Sequence, residues 1–176
     1  MYSKGSDLGE VIGTASRIQP LNYENWYTEW TKTADHFKNV GDTAFERGHL
    51  VSAHDAWLRA QTYYRTAEFF LHRNPDDPRI LTSWKNSVDT FRKAMELDQV
   101  HMEIVQIPYE NTTLPGYFYS ADNSGEKKPL LIIQTGYDGT QEELYSNALE
   151  GVRRGYNVLT FEGPGQGEVI RVQKIP

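Results

Sequence analysis

Two glycine-rich stretches decide the fold of this chain: Gln134-Thr135-Gly136-Tyr137-Asp138-Gly139-Thr140 and Glu162-Gly163-Pro164-Gly165-Gln166-Gly167. Each stretch follows a short apolar run, Leu130–Ile133 before the first and Asn157–Phe161 before the second. A uniformly apolar run such as the first is typical of a strand buried on both faces of a parallel sheet. Because ligands bind beyond the carboxyl ends of the strands in open parallel sheets, both stretches are candidate functional loops.

A helix is predicted between these two strands. Thr140 and Glu143 have the spacing of a capping box at its start, and Gly155 marks its end. Its buried stripe is predicted to consist of Leu144, Ala148 and Val152. The resulting strand–helix–strand unit should form a right-handed crossover between parallel strands.

The residues before His101 show helical rather than strand periodicity. One helix is predicted from Tyr23 to Asn39, with Gly41 as a point of interruption, and a second from Leu50 to His72. The change of period divides the chain into a helical domain, residues 1–100, and an α/β domain, residues 101–176.

A third helix is predicted to start with Asp77 as its N-cap and Pro78 as its first residue, where the missing N–H of proline has no consequence. It should end near Asp98. Its apolar residues recur at spacings of three and four and form one stripe: Ile80, Trp84, Val88, Phe91 and Met95.

Two strands are predicted directly after the helical domain. They cover residues 103–107 and 114–119, and Asn111-Thr112-Thr113 supplies the turn between them. Pro115 is expected only at a sheet edge or at the start of a strand, because it has no backbone N–H.

Composition excludes several classes of function. The 176 residues carry a formal net charge of −6, which argues against a general nucleic-acid binder. There is no cysteine, which excludes disulfides, thiolate catalysis and Cys-ligated zinc. No stretch approaches the roughly 20 apolar residues of a membrane span, and Met1–Glu10 does not resemble a signal peptide. We therefore expect a cytoplasmic protein that binds neither membranes nor nucleic acid.

Other chemical motifs are weak or absent. The second loop matches neither phosphate-binding glycine pattern, and Glu162 is expected to brace the loop rather than to react. No HExxH occurs, so no metal site is predicted. Ser146 lies within the predicted helix and is interpreted as structural.

The segment from Pro129 to Arg171 resembles strands three and four of the α/β-hydrolase fold, with helix A between them. Phe161-Glu162-Gly163-Pro164-Gly165-Gln166-Gly167 is its most specific part. It is similar to serine hydrolases with an N-terminal helical domain, including dihydroxypseudooxynicotine hydrolases and fungal polyketide chain-shortening hydrolases. The resemblance implies an α/β fold class, with a helical cap domain followed by the first strands of a hydrolase sheet.

The resemblance also implies an activity: hydrolysis of an ester, an amide or an activated carbon–carbon bond by a Ser-His-Asp triad, without a cofactor. Thr135-Gly136-Tyr137 matches the family's His-Gly-x pattern, with Thr in place of His. By that match, Gly136 lies in the oxyanion loop and the Tyr137 backbone N–H is an oxyanion donor. The triad is expected beyond Pro176, so these residues alone should be inactive and should need the remainder of the hydrolase domain.

An alternative function remains open. The block from Gly41 to Tyr64 resembles one helical hairpin of a tetratricopeptide repeat, which would suit an inactive binding module or a pseudoenzyme. The leading interpretation predicts a small carbonyl compound as the substrate and leaves open a homodimer. It also predicts an unpaired strand edge at Leu130–Gln134, and therefore poor solubility or self-association of the isolated chain.

Overall fold

A computed structural model describes residues 5–176. The chain divides into two compact units, Met1–Asp98 and Gln99–Pro176. The first unit is helical and the second is built on a four-stranded mixed sheet. Within residues 5–176, no helix has both the length and the apolar character needed to cross a bilayer.

The helical unit contains four α-helices and one 3₁₀ segment within its described residues. They are α1 (Leu8–Ala15), α2 (Tyr23–Glu46), α3 (Leu50–Glu68), the 3₁₀ segment Phe69–Arg73, and α4 (Pro78–Met95). Sequence periodicity did not predict α1, which is only eight residues long. The side chain of Asp7 caps it by accepting the Gly9 N–H.

The predicted interruption at Gly41 is wrong, because α2 continues to Glu46. Gly41 is buried in the contact between α2 and α3. A Cβ atom at this position would lie 2.4 Å from Cδ1 of Trp57. The glycine therefore permits a close helix–helix approach and does not break the helix.

The second predicted helix is too long, since regular α-helix ends at Glu68 and a 3₁₀ segment continues to Arg73. The start of α4 is as predicted: Asp77 accepts the Arg79 N–H at 2.9 Å and Pro78 is the first helical residue. The helix ends at Met95, three residues before Asp98. All five residues of its predicted apolar stripe are buried.

Aromatic side chains fill the core of the helical unit, and the polar atoms of several of them are hydrogen-bonded. Trp30, Tyr63 and Tyr64 pack with alanines of α2 and α3. The Tyr64 hydroxyl donates to Asp35 at 2.6 Å, and the Trp57 Nε1–H donates to Asp42 at 3.0 Å. These bonds offset the cost of burying polar groups between two helices.

The sheet has the order β1-β2-β4-β3, with β1 (Met102–Tyr109), β2 (Thr112–Tyr119), β3 (Leu130–Gln134) and β4 (Asn157–Phe161). The pairs β1–β2 and β2–β4 are antiparallel, and β3–β4 is parallel. The first hairpin is tighter than predicted. Tyr109 pairs with Thr112, so Thr112 and Thr113 belong to β2 and only Glu110 and Asn111 form the turn.

Pro115 lies inside β2, which has a neighbour on each side, so the expectation of an edge or first position is wrong. The Pro115 carbonyl oxygen accepts the Glu162 N–H at 3.1 Å, so this residue presents its backbone toward the β4 side. The pairing of β2 with β4 begins only at Gly116. The missing N–H therefore removes no bond from the ladder with β1.

The expected burial of β3 on both faces is also wrong. Leu130, Leu131 and Ile132 are 49%, 38% and 59% exposed. Within the described residues β3 is an edge strand whose pairing partner is β4. An apolar edge strand of this kind has unpaired backbone groups along one side.

The connection between β3 and β4 contains 3₁₀ segment Gln141–Leu144 and helix α5 (Tyr145–Val152). Its buried residues are Gln141, Glu142, Tyr145, Ala148 and Gly151. Of the predicted stripe, Ala148 is buried, whereas Leu144 and Val152 are only half-buried. The Glu143 carboxylate accepts the Thr140 N–H at 3.3 Å, as its spacing predicts. Gly155, at φ 81°, ends the segment as expected.

Candidate active-site loops

The two glycine-rich stretches lie side by side at one edge of the sheet. Gln134 at the end of β3 pairs with Phe161 at the end of β4, and the strands are parallel. The chain leaves both strands in the same direction, into residues 135–140 and 162–166. We call these segments loop A and loop B. The helix α6 (Gly167–Arg171) follows loop B directly.

Loop A presents an unused backbone donor. Tyr137 has a φ of 48°, in the left-handed region that non-glycine residues seldom adopt. Its side chain is 97% exposed. Within residues 5–176, the Tyr137 N–H donates to no acceptor, whereas the Gly139 N–H closes the loop on the Gly136 carbonyl oxygen at 3.0 Å. Gly136 and Tyr137 thus lie together at the tip of the loop.

Loop A is compact because Gly139 lacks a side chain. A Cβ atom at this position would lie 2.1 Å from Oγ1 of Thr135. The side chain of Thr135 therefore packs against the loop's own backbone.

Loop B contacts loop A through Gln166, which is buried. The Gln166 Nε2 donates to the Thr135 carbonyl oxygen at 2.6 Å. Its Oε1 accepts the Gly163 N–H at 3.0 Å and lies 3.4 Å from Nε2 of Gln134. Sequence reasoning missed this contact. A long amide side chain between two glycines was the available signal, but its target is on a loop some thirty residues away.

Glu162 braces both loops. Its carboxylate is 1% exposed and accepts two backbone N–H groups, from Gln141 at 3.0 Å and from Glu168 at 2.6 Å. Burial, together with the nearby charge of Glu142, raises the pKa of Glu162 to about 8. The two N–H donors and Arg171 act in the opposite direction.

A second buried acid lies close to Glu162. Glu142 is 3% exposed, and its Oε1 accepts the hydroxyl of buried Tyr117 at 2.7 Å. Arg171, also buried, donates to the Gly167 carbonyl oxygen at 3.3 Å. Neither Glu142 nor Arg171 was singled out by sequence, because each is an ordinary helix-surface residue type whose burial depends on tertiary packing.

The residues that a triad would need are not gathered here. Ser146 lies on α5, and its hydroxyl is 3.4 Å from the Asn147 side chain. His36, His49, His54 and His72 belong to the helical unit, and His101 precedes β1. Within residues 5–176, no three His, Asp or Glu side chains are arranged to hold a metal ion.

Residues 17–172 match the profile of the family described as FrsA-like, or Esterase FrsA-like. The chain belongs to the FrsA-like esterase family. It is 42% identical over 182 residues to the hydrolase acrC of Aspergillus aculeatus and 38% identical over 177 residues to the 20-hydroxy-prefusarin hydrolase FUS2 of Gibberella moniliformis. These matches cover 95% and 98% of this chain and 42% of each relative.

The fold of this FrsA-like chain also matches a solved structure. The crystal structure of 2,6-dihydroxy-pseudo-oxynicotine hydrolase aligns with a TM-score of 0.77 at 22% identity, over 95% of this chain and 45% of that one. The predicted fold class is therefore confirmed: a helical N-terminal region is followed by a mixed sheet of the α/β-hydrolase type. The chain spans about two fifths of the length of the curated relatives it matches.

Proposed function

We propose that this chain supplies the oxyanion loop of a serine hydrolase that cleaves an ester, an amide or an activated carbon–carbon bond of a small carbonyl compound. The observation that carries the proposal is loop A: at the carboxyl end of a parallel strand, it holds a Tyr137 N–H that has no acceptor within residues 5–176. Membership of a hydrolase family supports the reaction class.

The chemistry follows from the role of such a donor. A serine attacks the substrate carbonyl carbon, a histidine takes the serine proton, and the carbonyl oxygen becomes an oxyanion. The Tyr137 N–H would donate to that oxygen, together with the N–H that follows the nucleophile. A preorganised donor of this kind lowers the barrier by about 3 kcal/mol, because it needs no reorganisation when charge develops.

The triad residues are proposed to lie outside residues 1–176. None of the serines in these residues stands in a Gly-x-Ser-x-Gly setting, which the nucleophile of this fold requires. We therefore expect residues 1–176 to show no turnover when they are expressed alone. We also propose, from the sequence resemblance, that the helical unit is the cap domain of the hydrolase.

The test replaces the Tyr137 amide by an ester in the full-length enzyme, by incorporating the α-hydroxy analogue of tyrosine. This change removes the N–H and keeps the side chain. We expect kcat for p-nitrophenyl butyrate to fall about 100-fold, with KM nearly unchanged. The same replacement at Tyr156, whose N–H donates to the Gly151 carbonyl oxygen, is the matched control and should leave kcat unchanged.

Two results would contradict the proposal. A kcat that is the same for both ester replacements would remove Tyr137 from the oxyanion site. Full activity after an alanine replaces the serine of the Gly-x-Ser-x-Gly elbow would exclude serine catalysis. A full-length wild-type protein without hydrolytic activity would instead favour the binding module or pseudoenzyme.

A further inference from the structure

Loop A is fastened at both of its ends by side chains of loop B. At the start of loop A, the Gln166 Nε2 donates to the Thr135 carbonyl oxygen at 2.6 Å. Just past its other end, the Gln141 N–H donates to Oε1 of Glu162 at 3.0 Å. Gly136 and Tyr137 lie between these two attachment points. Both fastening residues come from the five residues that follow β4.

The orientation of Gln166 is fixed by its own contacts. Its Oε1 accepts the Gly163 N–H at 3.0 Å, so that the NH₂ end must face the Thr135 carbonyl oxygen. The opposite amide orientation would bring two donors together at Gly163 and two acceptors together at Thr135. A buried amide with both ends occupied has one stable orientation.

Glu162 is fixed equally well. Its second oxygen accepts the Glu168 N–H at 2.6 Å, so the carboxylate joins the first turn after loop A to the first turn after loop B. The charged groups that face it are Glu142 and Arg171. A Cβ atom at position 167 would lie 1.9 Å from Oε1 of Glu162, so only glycine leaves room for this arrangement.

We propose that Glu162 and Gln166 are positioning residues that hold the Tyr137 N–H where an oxyanion develops. The inference rests on the proposed function. An oxyanion donor is effective only within about 3 Å of the oxygen it stabilises, and a displacement of about 1 Å can lower the rate about 100-fold. A six-residue loop fastened at one end only would allow such displacements.

The first test is Gln166→Met in the full-length enzyme, with p-nitrophenyl butyrate as the substrate. Methionine keeps the length of the side chain and removes both hydrogen-bonding ends. We expect kcat to fall at least about 10-fold and KM to change less than about 2-fold, because the donor acts on the transition state. Gln173→Met is the matched control, since Gln173 makes two similar bonds, to Thr112 and Thr113, away from the loops.

The second test uses Glu162→Gln and reads amide hydrogen exchange in the same full-length enzyme at about pH 9, where Glu162 is a carboxylate. The amide NH₂ of the new side chain would face one of two N–H donors. The Gln141 or Glu168 amide should therefore exchange at least about 10-fold faster than in the wild type. In Gln173→Met, both amides should keep the wild-type rate. This readout does not depend on substrate, and it decides the case if Gln166→Met fails to fold.

The outcomes separate the two proposals. If kcat in Gln166→Met equals that of Gln173→Met, or if neither amide exchanges faster in Glu162→Gln, the positioning role is wrong. If wild-type enzyme does not hydrolyse the ester, the proposed function fails. The exchange measurement still shows in that case whether loop B fastens loop A.

Discussion

At the scale of single residues, the candidate site depends on glycines that make room for polar atoms. Gly139 leaves space for the Thr135 hydroxyl, and Gly167 leaves space for the Glu162 carboxylate. Gly136, in contrast, has no atom within 4 Å of the position a Cβ would take, and its φ is not in the left-handed region. The glycines of the two glycine-rich stretches therefore differ in how strongly an added methyl group would disturb the structure.

This difference predicts unequal effects on stability. Gly167→Ala should lower the free energy of unfolding by about 2–3 kcal/mol, because the new methyl overlaps a buried carboxylate that also accepts two backbone bonds. Gly136→Ala, in the same unit, should change it by less than about 0.5 kcal/mol. Urea unfolding of the two variants and the wild type measures both values. Equal destabilisation of the two variants would contradict the packing described for Glu162.

At the scale of elements, sequence predicted what local chemistry determines. The Asp77–Pro78 start of α4, its apolar stripe, and the glycine end after α5 follow from rules that act within a few residues. The errors arose where tertiary contacts decide. Gly41 was interpreted as a helix breaker because Trp57, which packs on it, lies on the next helix.

The same limit applies to the candidate loops. The glycine pattern and the apolar strands pointed to loops A and B, and the parallel pairing of β3 and β4 brings those loops together. Sequence predicted that Glu162 braces its own loop, but it predicted neither the contact of Glu162 with Gln141 nor that of Gln166 with Thr135. Both contacts depend on the register of Gln134 with Phe161. Periodicity alone could not assign β3 to an edge, since a uniformly apolar strand shows no preferred face. The unpaired edge at Leu130–Gln134 was expected only from the resemblance to the α/β-hydrolase fold.

The contact between α2 and α3 gives an element-scale prediction. Gly41→Ala should destabilise the protein by about 1–3 kcal/mol despite the better helix propensity of alanine, because its Cβ would overlap the Trp57 ring. Gly13→Ala on α1 meets no atom within 4 Å and should stabilise by up to about 1 kcal/mol. Urea unfolding followed by tryptophan fluorescence compares the two. A stabilising effect at both positions would show that α2 and α3 can move apart without cost.

His54 links α3 to the residues after α4 and should make stability depend on pH. Its hydrogen bonds to Asp98, at 3.2 Å, and to Asp55, at 3.0 Å, raise the pKa of His54 above its ordinary value of 6.5. The stabilisation is therefore complete below about pH 6.5 and is lost as pH rises through the higher folded-state pKa.

Urea unfolding between pH 5.5 and 8.5 tests this dependence. The raised pKa of Glu162 also makes the free energy of unfolding fall as pH rises. This contribution cancels when the wild type is compared with His54→Gln, because both proteins contain Glu162. The difference in stability between the wild type and His54→Gln should therefore shrink as pH rises. Asp98→Asn should reproduce most of the effect. A difference that is constant over this range would show that folding does not shift the pKa of His54.

At the scale of the whole molecule, the exposed apolar edge of β3 is the main liability. Three of its five residues are apolar side chains more than one third exposed, and its pairing partner within the described residues is β4 alone. Open strand edges pair with other chains unless a charge or a proline prevents it. Residues 1–176 expressed alone should therefore self-associate through β3.

A charge on this strand should reduce that association. Ile132 is 59% exposed, and Ile132→Lys should shift residues 1–176 toward monomer in sedimentation velocity. Leu21→Lys is the matched control, because Leu21 is 88% exposed but lies in the helical unit. If both substitutions act alike, the association is a general effect of charge rather than of strand pairing.

The fit between Glu162 and Gly167 has an evolutionary consequence. A side chain cannot appear at position 167 while a glutamate fills the space beside it, since the new Cβ atom would lie 1.9 Å from Oε1 of Glu162, well inside van der Waals contact. A substitution of this glycine therefore requires that the acid is shortened first, for instance to aspartate, and the intermediate protein with the shorter acid is less stable. We expect the two positions to vary together among related sequences, with the acid changing before the glycine.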